Sequence, residues 1–194
     1  MKTITNFQLS TFNFSLLLAI FLMACSKPNI YIDNAGKEAR KVCIDGGNIF
    51  VIEPGGAVLM SLDKGSHKIW IKNSQEMMLK DTLFTLQKGG VINVAKSRYV
   101  RWRDLYGDEK YKDGRLESHK MRYKNWIFTG DIMEYDSNAL FIEKDWSYEL
   151  DQIFPQEAMG FGLPNKGKYL ISSKIYRLDD FAKDFSGKRD NDSI

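Results

Sequence analysis

The chain is expected to fold as a mainly β protein: an antiparallel β-sandwich followed by a smaller α+β carboxy-terminal part. Three observations predict this. Between residues 30 and 105, apolar runs rich in β-branched and aromatic residues recur at a spacing of about ten residues. Gly, Asn and Asp turn signals separate the runs. Beyond residue 105 the pattern gives way to a charged stretch, a few further apolar runs and one helical stripe.

Taken in order, the expected strands are 30–33, 40–45, 48–53, 57–62, 67–72, 78–86, 90–95 and 98–103. Side chains alternate across a strand, so Val58, Met60 and Leu62 share a face, as do Ile69 and Ile71, while Val100 and Trp102 oppose Tyr99, Arg101 and Arg103. Asp45-Gly46-Gly47 suits a tight hairpin, Pro54-Gly55-Gly56 a type II turn, and Gly89-Gly90 a further reversal. Eight such strands indicate a sandwich or barrel. Residues 106–125 read as a long irregular connection. Strands are then expected at 125–128, 132–135 and 139–142, the last two forming a hairpin at Asp136-Ser137-Asn138, with another at 168–176. Leu178, Phe181, Ala182 and Phe185 make one apolar stripe of a short helix, which Asp179 and Asp180 favour at its amino end and Gly187 stops. Residues 186–194 are expected to be a frayed tail.

The amino-terminal segment calls for separate treatment. Residues 14–24 are an apolar run of eleven residues, about 17 Å long as a helix against a hydrocarbon core of about 30 Å, so the run suits a signal-peptide core better than a membrane span. It ends in Leu22-Met23-Ala24-Cys25, which resembles the bacterial lipobox. The resemblance implies cleavage between Ala24 and Cys25 and lipidation of the Cys25 thiol, the small Ala24 admitting the peptidase and the thiolate accepting the lipid. Two or three acyl chains would anchor the protein stably. By resemblance to the sorting pattern of enteric bacteria, Ser26 favours the outer membrane. The expected organisation is therefore signal peptide 1–24, lipid-bearing tether 25–29, β-sandwich 30–105, α+β region 106–185 and tail 186–194.

The chain carries 28 Lys and Arg against 25 Asp and Glu, a formal net charge of +3 that falls to +2 with the loss of Lys2. This balance argues against nucleic acid as a partner. With Cys25 acylated, Cys43 has no partner for an intramolecular disulfide, and its place between Val42 and Ile44 suits a packed side chain. No cofactor or metal is expected; the two histidines, His67 and His119, are far apart.

A second likeness runs through Val42-Cys43-Ile44-Asp45-Gly46, Ile52-Glu53-Pro54-Gly55 and Leu62-Asp63-Lys64-Gly65-Ser66-His67-Lys68-Ile69. This order of strands and turns resembles the PEGA-type domains, small immunoglobulin-like accessory modules of bacterial envelope proteins. It implies an immunoglobulin-like or PEGA-like sandwich without catalytic residues of its own.

Charge is segregated further along. Residues 96–124 hold ten Lys or Arg against five acidic residues, interleaved with aromatics; residues 131–163 hold eight acidic residues against Lys144 alone. The bland expectation is mutual neutralisation within the fold or solvated faces. The functional alternative is a binding surface built from Tyr99, Arg101, Arg103, Lys110, Lys112 and Arg115, suited to an anionic envelope polymer, lipid head groups or an acidic protein partner. Paired carboxylates for glycoside hydrolysis are available among Glu143, Asp145, Glu149 and Asp151, although nothing in the spacing selects two. The glycine-rich stretch 160–167 lacks the ending of a phosphate loop. Trp70, Trp102, Trp126 and Trp146 are expected mostly in the core, any exposed pair forming a carbohydrate or partner platform. The functional expectation is a membrane-tethered envelope protein with a non-catalytic binding or scaffolding role. The alternatives are a protective lipoprotein that blocks a secreted toxin or enzyme, and an envelope hydrolase.

Overall fold

The computed structural model describes residues 27–106, 116–155 and 170–185. The lipobox at 22–25, Lys110, Lys112, Arg115, the stretch 160–167 and the tail lie outside the described residues. Those described form β1 (Asn29–Asp33), β2 (Arg40–Ile44), β3 (Ile49–Ile52), β4 (Ala57–Ser61), β5 (Gly65–Asn73), β6 (Met78–Leu86), β7 (Gly90–Asn93), β8 (Tyr99–Tyr106), β9 (His119–Tyr123), β10 (Trp126–Tyr135), β11 (Phe141–Glu143), β12 (Leu170–Arg177) and one helix, α1 (Leu178–Phe185). The protein is mainly β, as expected, with several antiparallel sheets and a small carboxy-terminal helix.

The strands make three four-stranded sheets: a central one in the order β11-β7-β1-β4, a second in the order β3-β2-β5-β6, and a third in the order β12-β8-β10-β9. Alternation along β1 explains how they stack. Ile30 and Ile32 point into a core shared with Val42, Ile69, Ile71 and Phe84 of the second sheet, whereas Tyr31 joins Tyr99 and Ile175 of the third. On the far face of the third sheet, Val100, Ile132 and Tyr176 meet Leu178 and Phe181 of α1. The layers therefore run sheet, sheet, sheet, helix, and the central sheet is covered on both faces. Its β1 and β7 pair in parallel, the arrangement that demands such double burial; all four residues of β7 are buried. Gly90 permits the close approach of β11 to β7, since a Cβ there would lie 2.2 Å from the Ile142 carbonyl oxygen.

Sheet membership runs across residue 105: β8 belongs to the third sheet, while β11, from the carboxy-terminal part, completes the central one. Three expectations need correction. The hairpin expected at 136–138 does not form, because β10 pairs with β8 and β9 and β11 pairs with β7. The turn instead carries the chain from one sheet to the next. The runs at 125–128 and 132–135 are one strand, and the connection expected at 106–125 contains β9, an edge strand whose only buried side chain is Met121.

At one end of the stack, β1 finishes on the fully buried Asp33. Arg177, the last residue of β12, donates from Nε to both Asp33 carboxylate oxygens at 3.1 Å and from Nη2 to Oδ1. The Tyr99 hydroxyl at the start of β8 donates to Oδ2; burial and the Asp33 charge push the Tyr99 pKa well up, so it remains a donor. Asn34 next to it donates to the carbonyls of Glu38 and Ile52, both at 2.8 Å. Removing one partner from a buried ion pair leaves the other charge desolvated. Asp33→Asn is accordingly expected to lower the free energy of unfolding by about 3–5 kcal/mol in urea titrations; a loss below about 1 kcal/mol would show that this pair does not hold the sheets together.

At the opposite end, the His67 ring nitrogens face the Asp45 carboxylate at 2.7 Å and the Asp63 carbonyl at 2.8 Å. Both partners accept, so both nitrogens must carry hydrogen, as in the imidazolium. Burial pulls the His67 pKa down, but the bonds to Asp45 and Asp63 outweigh it and raise it above 6.5. A raised folded pKa stabilises fully below the unfolded value and ceases to do so as pH climbs through the folded one. The urea midpoint of the wild type should fall between about pH 6 and about pH 8, and His67→Gln should flatten that fall; an unchanged slope in the variant would remove His67 from the account.

Candidate binding cleft

The expected binding surface divides along the pleat of β8. Its odd-numbered residues face the central sheet. Tyr99 is fully buried, Arg101 pairs with Asp145, and Arg103 donates to Asp131 at 2.6 Å. The Asp131 side chain is only 4% exposed; despite burial, which raises its pKa, the hydrogen bonds from Arg103 and the Glu117 amide hold its carboxyl below the ordinary range. Tyr99 is thus internal, while Arg101 and Arg103 are tied to the acidic segment, the Arg103 side chain remaining 30% exposed, as strand alternation and the cost of burying an unpaired guanidinium require. The acidic segment is what neutralises them. Asp145 also accepts from the Tyr135 hydroxyl, Glu149 from Lys144 and from the Trp146 indole at 2.9 Å, and Asp151 from the Tyr31 hydroxyl at 2.9 Å. Glu143 lies 3.6 Å from Lys88. Each of the four carboxylates considered for hydrolysis therefore has its own partner.

The even-numbered residues of β8 face the helix side, where, among the described residues, the third sheet is covered only in part. Eight helical residues rise about 12 Å, whereas the eight residues of β8 or β12 extend about 26 Å, so α1 (Leu178–Phe185) is too short to cover the strands. Between its last turn and the segment 151–155 lies a cleft of about 380 Å³. Trp102 and Asp104 of β8 form its floor with Lys174 and Tyr176 of β12; Phe154 and Asp184 stand on its walls. Trp102 and Lys174 are direct cross-strand neighbours.

Trp102 owes its position to a glycine. Gly130 on the adjacent β10 has φ +154, and a Cβ there would fall 2.3 Å from the indole ring. The ring covers the strand where no side chain can, which keeps β10 continuous through the position where a break was expected. Phe181 and Phe185 brace Trp102 with ring centroids 5.9 and 5.0 Å away. Phe154 meets Tyr148 edge-on at 5.4 Å.

Lys174 is only 7% exposed. Its ammonium donates to the Gln152 carbonyl and lies 4.6 Å from the centre of the Tyr176 ring. An ammonium has three donors, and the Gln152 carbonyl takes one of them. Burial lowers the Lys174 pKa below its ordinary value even though Asp184 and Asp151 act the other way. The sequence signal for this site was faint: one lysine within the otherwise uncharged stretch 170–176. Among the described residues no cluster of three or more His, Cys, Asp or Glu converges as a metal site would require.

Gly130→Ala should drive Trp102 from the cleft floor, at a cost of about 1–3 kcal/mol for overpacking, with a changed near-ultraviolet dichroism from the tryptophans. An unaltered spectrum would mean that the indole does not need the glycine. No family model matches this chain, and neither the curated proteins nor the solved structures give a significant match, which leaves the chemistry of the cleft side chains as the guide to its ligand.

Proposed function

We propose that the protein is a lipid-anchored cell-envelope protein that binds an envelope component, without catalysis, in the cleft around Trp102 and Lys174. The observation that carries this is Lys174, a buried lysine in the lining of a cleft floored by aromatic side chains, whose ammonium makes one hydrogen bond, to the Gln152 carbonyl. A ligand acceptor would add a hydrogen bond to a charged group, worth about 1.5–3 kcal/mol, to the one that the Gln152 carbonyl already accepts. The Leu22-Met23-Ala24-Cys25 motif supports the anchor. Residues 25–28 stand between that thiol and β1 (Asn29–Asp33), a reach of about 13 Å when extended, so the fold would be held close to the bilayer. Such closeness favours partners at the envelope surface.

Cys25→Ala is expected to abolish labelling by radioactive palmitate in growing cells and to leave the longer precursor; persistent labelling would overturn the anchor. For the binding role, the full chain in detergent should sediment with lipid-extracted envelopes, and Lys174→Met should release it, weakening binding by about tenfold. Equal sedimentation of wild type and variant would overturn the assignment to this cleft.

A further inference from the structure

We infer that the cleft takes an uncharged sugar ring of an envelope glycan. The inference rests on the assignment of binding to this cleft and names the class of ligand.

The chemistry of the cleft excludes the other simple classes in turn. A small anion would meet Lys174, but also the carboxylates of Asp104, Asp151 and Asp184, whose like charge opposes it. A cation would find those carboxylates, yet the face of Tyr176 is already taken by the Lys174 ammonium at 4.6 Å. A purely apolar ligand would seal the Lys174 ammonium, which has one hydrogen bond, away from water, which costs more than leaving the cleft wet. The remaining class both donates and accepts and carries no charge.

A pyranose ring fits each requirement. Its hydroxyls accept from Lys174 and donate to Asp104 and Asp184, so one group type satisfies both kinds of partner. Its C–H-rich faces match aromatic surface, and Trp102 and Phe154 supply that on floor and wall. A volume of about 380 Å³ falls at the lower end of ligand sites, which begin near 300 Å³. Trp102 also borders a second hollow, of about 210 Å³, beside Trp126. Trp126 remains 40% exposed. The two depressions share Trp102 and Phe185, so a chain of sugar units would continue from the first over these rings into the second. Oligosaccharides should therefore bind more tightly than single sugars.

The test is calorimetric titration of the full chain, held in a polyoxyethylene detergent because glycosidic detergents would compete. The probes are linear tetramers of N-acetylglucosamine, glucose and mannose, their monomers, inorganic phosphate and tetralysine. At least one tetramer should bind with a Kd below about 1 mM, and about tenfold more tightly than its monomer. Trp102→Ala and Lys174→Met should each weaken that tetramer about tenfold or more, with unchanged far-ultraviolet dichroism reporting an intact fold. Trp126→Ala should weaken the tetramer and spare the monomer. If envelopes sediment the protein in a Lys174-dependent way while none of the three tetramers binds, the sugar assignment is overturned and the cleft stands. Phosphate or tetralysine binding that Lys174→Met or Trp102→Ala removes would also overturn it. If envelope binding ignores Lys174, both conclusions fall.

Discussion

Asp33 sets the geometry on which the rest of the molecule depends. A carboxylate with no exposure to water is tolerable only where charge and hydrogen bonds replace hydration. Arg177 and Tyr99 supply both, and each stands at the terminus of a strand in the neighbouring sheet. The three residues therefore fix the ends of β12 and β8 against the end of β1. Register then propagates along the paired strands, from Arg177 opposite Tyr99 to Lys174 opposite Trp102. Because side chains alternate, seating Tyr99 and Ile175 on the central sheet obliges Val100, Trp102 and Lys174 to face the other way. The floor of the cleft is thus a consequence of an ion pair on the opposite face of the same strands.

The segregation of charge along the chain obeys the same physics. Arg101 and Arg103 are carried to an inner face by their register, and a buried guanidinium must find an anion. The acidic segment provides Asp131 on the adjacent strand and Asp145 in the strap after β11. Lys144, the one cation of residues 131–163, is taken by Glu149. Among the described residues, the opposite blocks meet in the pairs Arg98–Glu134, Arg101–Asp145 and Arg103–Asp131.

Much of the fold was legible because local rules agreed. The first seven strands begin and end within two residues of the runs read from apolar patterning and turn chemistry, and α1 occupies 178–185, where the apolar stripe placed it. Non-local facts were not legible. Nothing in the sequence of β7 says that its neighbours are β1 and β11, since pairing across so many residues depends on tertiary packing. β9 escaped notice because an edge strand with a single inward residue, Met121, has almost no periodicity. The runs 125–128 and 132–135 read as separate strands, and the Trp102 ring laid over Gly130 between them accounts for β10 running through. For the site, Tyr99, Arg101 and Arg103 lie on the strand face turned to the central sheet, where Arg103 keeps part of its side chain exposed, and Trp102 between them, expected in the core, packs against it and also lines the cleft.

Lys174 is the residue that folding alone explains least. Its neighbours across β8 and along β12 are Trp102 and Tyr176, both part of the apolar packing under α1. A methionine there would fill a similar volume without desolvating a charge, and interiors favour such a choice. Keeping an ammonium there, depressed in pKa and bonded to one carbonyl, works against the stability of the layer that the helix covers. Departures of this kind from local consistency concentrate at functional sites. The short helix gives the same indication from the other side: it closes the half of the third sheet that lies over Val100 and Tyr176 and stops beside Trp102. An aromatic floor next to a desolvated donor is costly to leave in water and favourable to place against a partner that offers both faces and acceptors.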